Sequence, residues 1–268
     1  MKFTVVTLFP QLIDGFLSAG LLRQAVDRGE LSIGTLNPRV FAHDVHHTVD
    51  DKAFGGSDGM VMKVEPLQAA VDSLRVNERC RVVVLSPQGR RWSQELAREY
   101  SKLRENIVLV CGRYAGIDHR FTVRADDEIS LGDFILNGGE VAACAIIESV
   151  ARLQPGVLGN QASAQNDSFG ENAATGGPGL LECPQFTRPR EAGGLKVPSP
   201  LLSGHHGKIR QFERAVSLVR TAILRPDLIA SGRVLDAEVG ELEALEDLEL
   251  AALGVSREQL ARLKAWGT

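Results

Sequence analysis

Residues 131–140, LGDFILNGGE, lie between a predicted strand at residues 127–131 and a predicted helix at residues 141–153. Three glycines give this segment backbone freedom, because without a Cβ the chain can adopt a positive φ and let a ligand come close. The apolar residues between the glycines are unusual for a solvated turn, so we expect them to line a ligand site. The segment therefore predicts a strand, a ligand-binding loop and a helix in succession.

Two further glycine-containing loops follow predicted strands. Residues 111–118 (CGRYAGID) follow the strand at 106–110, and residues 85–89 (LSPQG) follow the strand at 81–84. Open α/β sheets bind ligands at the carboxyl ends of their strands, so the three loops are predicted to form one site. Three ordinary turns are the alternative, because Gly and Pro occur in the turns of every fold.

Strands and helices alternate along the first part of the chain. The patterns predict further strands at residues 2–8 and 31–36 and helices at residues 12–28, 65–76 and 93–104. The run at residues 106–110 is continuously apolar, as in a strand that is buried on both faces of a parallel sheet. We therefore expect an α/β domain at residues 1–159.

The composition changes after Gly159. Residues 160–180 are small and polar, which predicts a flexible linker, and residues 181–268 predict a smaller helical domain. Its clearest element is an amphipathic helix at residues 208–224, with Arg210 and Arg214 opposite the apolar face. The C-terminal residues 233–266 predict two acidic helices that are broken near Gly254.

Composition and charge limit the class of protein. With 268 residues and 44% hydrophobic content, the chain can bury one good core and a second, smaller one. No apolar run approaches the roughly 20 residues that cross a bilayer, and the first residues predict a strand and not a signal peptide, so we expect a cytoplasmic protein without a membrane partner. The four cysteines are too far apart to suggest a zinc site or a disulfide scaffold. The net charge is −4, but residues 186–225 carry eight Lys or Arg against two Glu, which predicts local contacts with phosphates.

A long segment without a regular period, residues 38–63, carries three His and three Asp within nine positions. Imidazole and carboxylate groups suit zinc, manganese or iron, so a metal site is one interpretation. Nothing in the segment sets the spacing of such ligands, and a loop that closes on a substrate is the preferred interpretation. The six residues are His43, Asp44, His46, His47, Asp50 and Asp51.

The common nucleotide-binding fingerprints are missing from the α/β part of the sequence. Neither G-x-G-x-x-G after a strand nor G-x-x-x-x-G-K-[ST] occurs there. Both motifs hold phosphate groups at a helix N-terminus. Their absence favours a cofactor without a pyrophosphate, and S-adenosylmethionine is such a cofactor.

Short motifs follow one another in a specific order: HDVHHTVDD, LSPQGR, LVCGRYAGID, LGDFILNGGE, PGVLG, DSF, CPQFTRP and LLSGHHGKIR. In this order they resemble the bacterial tRNA (guanine-N1)-methyltransferase family, over nearly the whole chain to about Leu228. The resemblance implies a parallel α/β sheet of the SPOUT type with a C-terminal trefoil knot, followed by a small helical domain. It also implies transfer of a methyl group from S-adenosylmethionine to N1 of the guanosine 3′ of the anticodon in tRNA.

The resemblance further implies a homodimer in which the linker of one chain reaches the cofactor of the other, and a dependence on magnesium without an assigned ligand. Asp167 matches the family's general base, and Arg152 matches the residue that stabilises the charge on guanine O6. On the residues alone, Asp167 is also typical of a turn and Arg152 of the last turn of a helix.

The glycine loops are expected to hold the cofactor, and the basic segment is expected to contact the RNA. The expected cofactor-binding residues are Leu85, Ser86, Pro87, Gly112, Arg113, Tyr114, Gly116, Leu131, Gly132, Asp133, Phe134, Ile135, Leu136, Gly138 and Gly139. The expected RNA contacts are Asp50, Arg188, Lys208, Arg210, Arg214 and Arg220. Departures from the family pattern are Ala115 for a usual Glu, Phe134 and Phe186 for Tyr, and His47 for Arg. These departures bear on cofactor affinity more than on the type of reaction.

Three other functions remain open on the sequence. A methyltransferase of the same class that acts on ribose or another base would not need Asp167 as a base. A non-catalytic RNA-binding protein would keep the fold. A metal-dependent hydrolase would use the His and Asp residues of the segment at 38–63.

Overall fold

The structure, a computed structural model, describes residues 1–56, 58–170, 179–229 and 236–266. The chain divides into two compact units, Met1–Gln161 and Ala162–Thr268. The expected end of the α/β domain, residue 159, lies close to this boundary. Each helix in the described ranges is too short or too polar to span a bilayer.

The first unit contains a parallel sheet with helices on both faces. Its strands are β1 Lys2–Val6, β2 Ser32–Leu36, β3 Asp50–Lys52, β4 Met60–Met62, β5 Cys80–Arg91, β6 Asn106–Cys111 and β7 Asp127–Ser130. Its helices are α1 Pro10–Phe16, α2 Gly20–Asp27, α3 Val64–Arg75, α4 Gln94–Ser101, α5 His119–Thr122 and α6 Glu140–Ala151. Five strands pair in parallel in the order β2-β1-β6-β5-β7, whereas β3 and β4 form a separate antiparallel hairpin.

The central strand β6 divides the core of this unit into two layers, because successive side chains of a strand point to opposite faces. Ile107 and Leu109 pack on one face with residues of α1, α2, α4 and α6. Val108 and Val110 pack on the other face with residues of α3 and α5. All six residues of β6 are buried, as the continuous apolar run predicted. The α/β class with a parallel sheet is thus confirmed.

The prediction of a single helix at residues 12–28 is wrong. The chain turns after Leu17, and Gly20 takes a φ of +77°, which L residues rarely adopt. Two short helices, α1 and α2, therefore replace one long helix. The apolar periodicity continues through the break, so it did not reveal the turn.

The loop predicted at residues 85–89 is a bulge inside a longer strand. Leu85 and Arg90 both pair with Ile129 of β7, so the residues between them protrude from the ladder while β5 continues to Arg91. A Cβ on Gly89 would overlap the backbone of Glu128, so only glycine allows the two chains to approach this closely.

The segment at residues 38–63 is more regular than its sequence predicted. It contains a 3₁₀ helix, Pro38–Phe41, and the β3–β4 hairpin. The hairpin joins the first unit through backbone contacts of β4 with the loop after β6, where Ala115 N donates to Met60 O over 2.8 Å. Ser57, in the Gly-Gly-Ser-Asp-Gly run, lies outside the described residues.

The second unit is mainly helical. It contains α7 Gln161–Asn166, which starts at the boundary, a hairpin of β8 Glu191–Ala192 and β9 Leu195–Lys196, then α8 His206–Leu224, α9 Asp236–Glu243, α10 Asp247–Ala252 and α11 Arg257–Trp266. The buried face of α8, including Phe212, Val216 and Val219, packs with apolar residues of the last three helices. The helix predicted at residues 208–224 is confirmed.

Two predictions for this unit need correction. The linker predicted at residues 160–180 contains helix α7, and its residues 171–178 lie outside the described residues. The C-terminal region has three helices in its described part and not two, because Glu246 forms a capping box with Glu249 and starts α10. The break near Gly254, where φ is +68°, is confirmed.

Candidate active site

A cavity of about 560 Å³ lies at the carboxyl ends of β6 and β7 and at the bulge in β5. The three predicted glycine loops form its walls together, which is the arrangement that the strand order required. Fourteen of the fifteen expected cofactor-binding residues line it. Its size is typical of a site for a small organic ligand.

Asp133 is the expected residue that does not line the cavity. Its carboxylate accepts from Arg91 Nη2 over 2.7 Å, and its side chain is 91% exposed. The segment between the glycines has no period from which the direction of each side chain could be read. Its neighbours Phe134, Ile135 and Leu136 do line the cavity.

Other lining residues were not expected from the sequence. They come from the end of β7, from helix α5 and from the gaps within the motifs: Val84, Gln88, Ala115, Ile117, His119, Thr122, Glu128, Ile129, Ser130, Asn137 and Ala142. For Glu128 and Ser130 a signal was available, because they precede the 131–140 loop in the predicted strand and so lie near the same sheet edge.

Arg113 is fixed in the cavity wall by three partners, of which Glu140 is buried. Its Nη2 lies 2.8 Å from Glu140 Oε2, and its Nη1 donates to Asn137 O over 3.3 Å. The guanidinium also lies over the ring of Phe9, with Cζ 4.3 Å from the ring centroid, a favourable cation–π distance. These contacts join the loop after β6 to the loop before α6.

Glu140, the first residue of α6, was not expected to contribute to the site. Its side chain is buried, and it accepts a hydrogen bond of 2.6 Å from Thr7 Oγ1 besides the pair with Arg113. A Cβ on Gly138 would overlap the Arg113 guanidinium, and a Cβ on Gly139 would lie 2.8 Å from Cys111 Cα. The two glycines are therefore required because the loop packs closely on Arg113 and Cys111.

The cysteines below the cavity are packing residues. Burial raises the pKa of the Cys111 thiol well above its usual value and that of Cys144 to about 11. Both thiols therefore stay protonated at neutral pH, and nucleophilic catalysis by them is disfavoured.

The turn that carries Asp167 belongs to the second unit. Gly170 N donates to Asp167 O over 2.8 Å, and Phe169 in this turn has a φ of +65°. Phe169 N donates to Leu180 O over 2.7 Å, and Glu182 N donates to Ser168 Oγ over 3.1 Å. The predicted base thus sits in a turn that is held by residues 180–182.

Residues 180–182 are attached to α8 through Leu181. Leu181 N donates to Thr221 Oγ1 over 3.0 Å, and Ser217 Oγ donates to Leu181 O. Both hydroxyl groups belong to buried residues of α8. The Asp167 turn is therefore connected to α8 through two successive sets of hydrogen bonds.

Arg152 directly follows α6, whose first turn borders the cavity. It does not line the cavity. With a rise of 1.5 Å per residue, the 13 steps from Gly139 to Arg152 span about 20 Å along the helix. Arg152 therefore lies at the far end of α6 from the cavity of the same chain.

The expected RNA contacts differ in their surroundings. Lys208, Arg210 and Arg214 are exposed on α8, and none of them forms a salt bridge within the part of the chain that the structure describes. Arg188 is exposed as well. Cations near the C-terminus are paired instead, for example Lys264 Nζ with Glu243 Oε2 at 2.6 Å.

Arg220 and Asp50 are placed differently. Arg220 is half-buried and donates from Nη1 to Leu253 O, so it holds the end of α10 against α8. Because its guanidinium is hydrogen-bonded within the unit, the structure does not support the expected contact between Arg220 and RNA. Asp50 is half-buried in β3, opposite Met62 of β4.

The His and Asp residues of the segment at 38–63 do not converge. Asp44 accepts from Thr48 Oγ1 over 2.6 Å and from the backbone of His46 and Thr48, and the hydrogen bond from Thr48 is the main cause that lowers its pKa to about 2. His47 Nδ1 lies 2.9 Å from Ala42 O. Over the described ranges, no three His, Cys, Asp or Glu side chains form a group that could hold a metal ion. The hydrolase alternative, which needs such a group, therefore has no ligand set in these ranges.

Comparison with known proteins agrees with the motifs. The family model described as tRNA (Guanine-1)-methyltransferase TrmD matches residues 1–231. A tRNA (guanine-N(1)-)-methyltransferase of Geotalea uraniireducens is 44% identical over 94% of this chain and 98% of its own length. A protein of the same name from Geobacter sulfurreducens is 45% identical over 92% of this chain and 98% of its own length. Another from Staphylococcus haemolyticus is 46% identical over 85% of this chain and 91% of its own length.

Proposed function

Since the chain belongs to the tRNA (guanine-1)-methyltransferase family, we propose that it methylates N1 of the guanosine 3′ of the anticodon in tRNA, with S-adenosylmethionine as the donor. The observation that carries this proposal is the cavity of about 560 Å³ that the three glycine loops form together. A ribose or other-base methyltransferase would share the cavity, and only the product separates these functions.

The cavity fits an adenosyl group. Leu131, Phe134 and Leu136 offer apolar walls for a flat purine, and the loop backbone at the glycines offers polar groups for its edges. When it is bound, S-adenosylmethionine supplies a reactive methyl group on a positively charged sulfur. The protein must then prepare the nucleophile, because guanine N1 carries a proton at neutral pH.

Two residues are proposed to activate the base. The Asp167 carboxylate accepts the N1 proton, and the Arg152 guanidinium stabilises the negative charge that develops on O6. The turn around Asp167 is held within the second unit by hydrogen bonds to residues 180–182.

The position of Arg152 supports a site that two chains share. Arg152 and the cavity lie at opposite ends of the same α6, about 20 Å apart by helix rise. A second copy of the chain can bring its own Arg152 and Asp167 to the cavity. Exposed apolar residues near the start of α6 and on α1, Leu12, Phe16 and Val141, offer a surface for such a homodimer.

The exposed cations of α8 are proposed to contact tRNA phosphates. Arg210 and Arg214 share one side of α8, Lys208 lies in its first turn, and Arg188 lies on the preceding segment. Phosphate contacts of this kind position the RNA, whereas the target base must leave its stack to reach the donor.

The trefoil knot is also part of the proposal. Family membership implies the SPOUT fold. The double pairing of Leu85 and Arg90 with Ile129, and the backbone contact at Gly89, support a chain that passes close to itself here. Magnesium dependence remains an implication of the family, and no step is routed through it.

The product identifies the reaction. We expect labelled S-adenosylmethionine to transfer its methyl group to a tRNA transcript with guanosine 3′ of the anticodon, and not to one with adenosine there. Digestion and mass spectrometry should show 1-methylguanosine. A 2′-O-methyl product would support the ribose alternative, and no incorporation with intact tRNA binding would support a non-catalytic RNA-binding protein.

A further inference from the structure

Arg113 and Glu128 are the basic and the acidic residue among those that line the cavity, beside the imidazole of His119. The Arg113 charge is balanced by Glu140, whose carboxylate lies 2.8 Å from Arg113 Nη2 and is buried. An ion pair of this geometry contributes little net charge to its surroundings. The charge that the cavity presents is therefore set largely by Glu128.

The alternation of β7 indicates where the Glu128 carboxylate points. Asp127, the preceding residue, accepts a hydrogen bond of 2.7 Å from Tyr100 Oη on the α4 side of the sheet. Because neighbouring side chains of a strand point to opposite faces, Glu128 points to the α5 side. Thr122 of α5 lines the cavity on that side.

The Glu128 carboxylate has no hydrogen bond or salt bridge to any residue in the described ranges. Arg90 and Arg120, cations of the neighbouring elements, are bound to Asp127 and Asp118. A half-buried carboxylate without a partner in the wall of a ligand cavity suits a cationic ligand.

We infer that Glu128 is a specificity-determining residue that favours the cationic methyl donor over its neutral-sulfur product. This inference rests on the proposed function. S-adenosylmethionine carries one positive charge, on sulfur, that S-adenosylhomocysteine lacks, and the two molecules are otherwise matched apart from the methyl group. A carboxylate near the sulfonium strengthens binding of the donor alone, and it loses this attraction when the methyl group leaves, so that the product dissociates more readily.

The test is calorimetric binding of both molecules to the full-length protein without tRNA. Glu128→Gln keeps the size of the side chain and removes its charge. We expect it to weaken S-adenosylmethionine binding by about tenfold, equivalent to about 1.4 kcal/mol, and to leave S-adenosylhomocysteine binding within about twofold. Asp72→Asn, which removes an exposed carboxylate from α3, should leave both affinities unchanged.

Equal weakening of both molecules by Glu128→Gln would overturn the inference, because it would place Glu128 against the shared adenosyl or amino-acid part. Unchanged affinities would overturn it as well. Glu128→Asp, which keeps the charge, should retain the preference for the donor. This variant is the one to measure if Glu128→Gln does not fold. Failure of the unaltered protein to bind either molecule would instead contradict the proposed function.

Discussion

The wall of the donor cavity and the turn that carries Asp167 are supported in different ways. The cavity wall rests on buried close contacts: Gly139 packs on Cys111, and Arg113 is paired with Glu140. The Asp167 turn is held by hydrogen bonds to residues 180–182, which are bonded in turn to α8. The cavity is thus preformed, whereas the proposed base is attached to the helix whose cations are proposed to contact the RNA.

This difference suggests a division of work. We expect a rigid cavity to bind the donor before the RNA arrives, because its loops need no rearrangement to close around it. The proposed base lies in the same unit as the cations that are proposed to hold the RNA, so we expect its position to depend on tRNA docking. Substitutions in the first region should change donor binding, and substitutions in the second should change turnover or RNA affinity.

The largest effect is expected at the base. Asp167→Asn should lower kcat by about 10²- to 10⁴-fold, because the N1 proton loses its acceptor, while donor affinity measured by calorimetry stays unchanged. Single-turnover methylation of the tRNA transcript measures the loss. Asp227→Asn, at an exposed position in the same unit, is the matched control. Full activity of the Asp167 variant would remove this residue from the mechanism.

The second-largest effect is expected at the cavity wall, where a substitution should change donor affinity. Gly139→Ala places a methyl group 2.8 Å from Cys111 Cα, so the loop must shift. At about 1–3 kcal/mol for such overpacking, donor affinity should fall by about five- to 150-fold. Gly34→Ala in β2, where a Cβ meets no atom within 4 Å, is the control. An unchanged donor affinity in the Gly139 variant would show that the wall is not rigid.

The cations of α8 should affect RNA affinity and its salt dependence only. Replacing Lys208, Arg210 and Arg214 by Ala should weaken tRNA binding and reduce the slope of log K against log salt concentration by about 2 to 3. Arg262→Ala with Lys264→Ala removes cations that are already paired with acids and should change the slope little. Equal slopes for both variants would mean that α8 does not bind phosphates.

The smallest effect tests the connection between the two parts of the second unit. Ser168→Ala removes the acceptor of the Glu182 amide, a hydrogen bond of 3.1 Å that holds the Asp167 turn. At about 0.5–1.5 kcal/mol net, kcat should fall about three- to tenfold with tRNA affinity unchanged. A change in tRNA affinity with constant kcat would argue that the turn serves RNA binding instead.

The sequence predicted the convergence of the three loops because each follows a strand, and parallel strands bring their carboxyl ends to one edge. It could not predict the partner of Arg113, since Glu140 is 27 positions away and the pair depends on how two loops pack. It could not predict the direction of Asp133 either, because a loop without a period does not separate inner from outer side chains.

Arg220 illustrates a signal that was present in the sequence. At 3.6 residues per turn, Arg220 lies about 80° around α8 from Arg210, toward the apolar face. Its half-buried position and its bond to Leu253 follow from this angle. The break at Gly20 had no comparable signal, because glycine near the middle of an apolar period is also tolerated inside a helix.

Methylation by mixed dimers tests the central claim most directly. Leu136→Arg fills the cavity, and Asp167→Asn removes the base, so each variant alone should be inactive. If the cavity and the base come from different chains, mixed dimers contain one intact site, and an equal mixture should recover about a quarter of the activity of the unaltered protein. A mixture of Asp167→Asn with Arg152→Ala should stay inactive, because both residues are supplied by the same partner. No recovery in the first mixture would contradict the shared site, because it would place the cavity and the base in one chain.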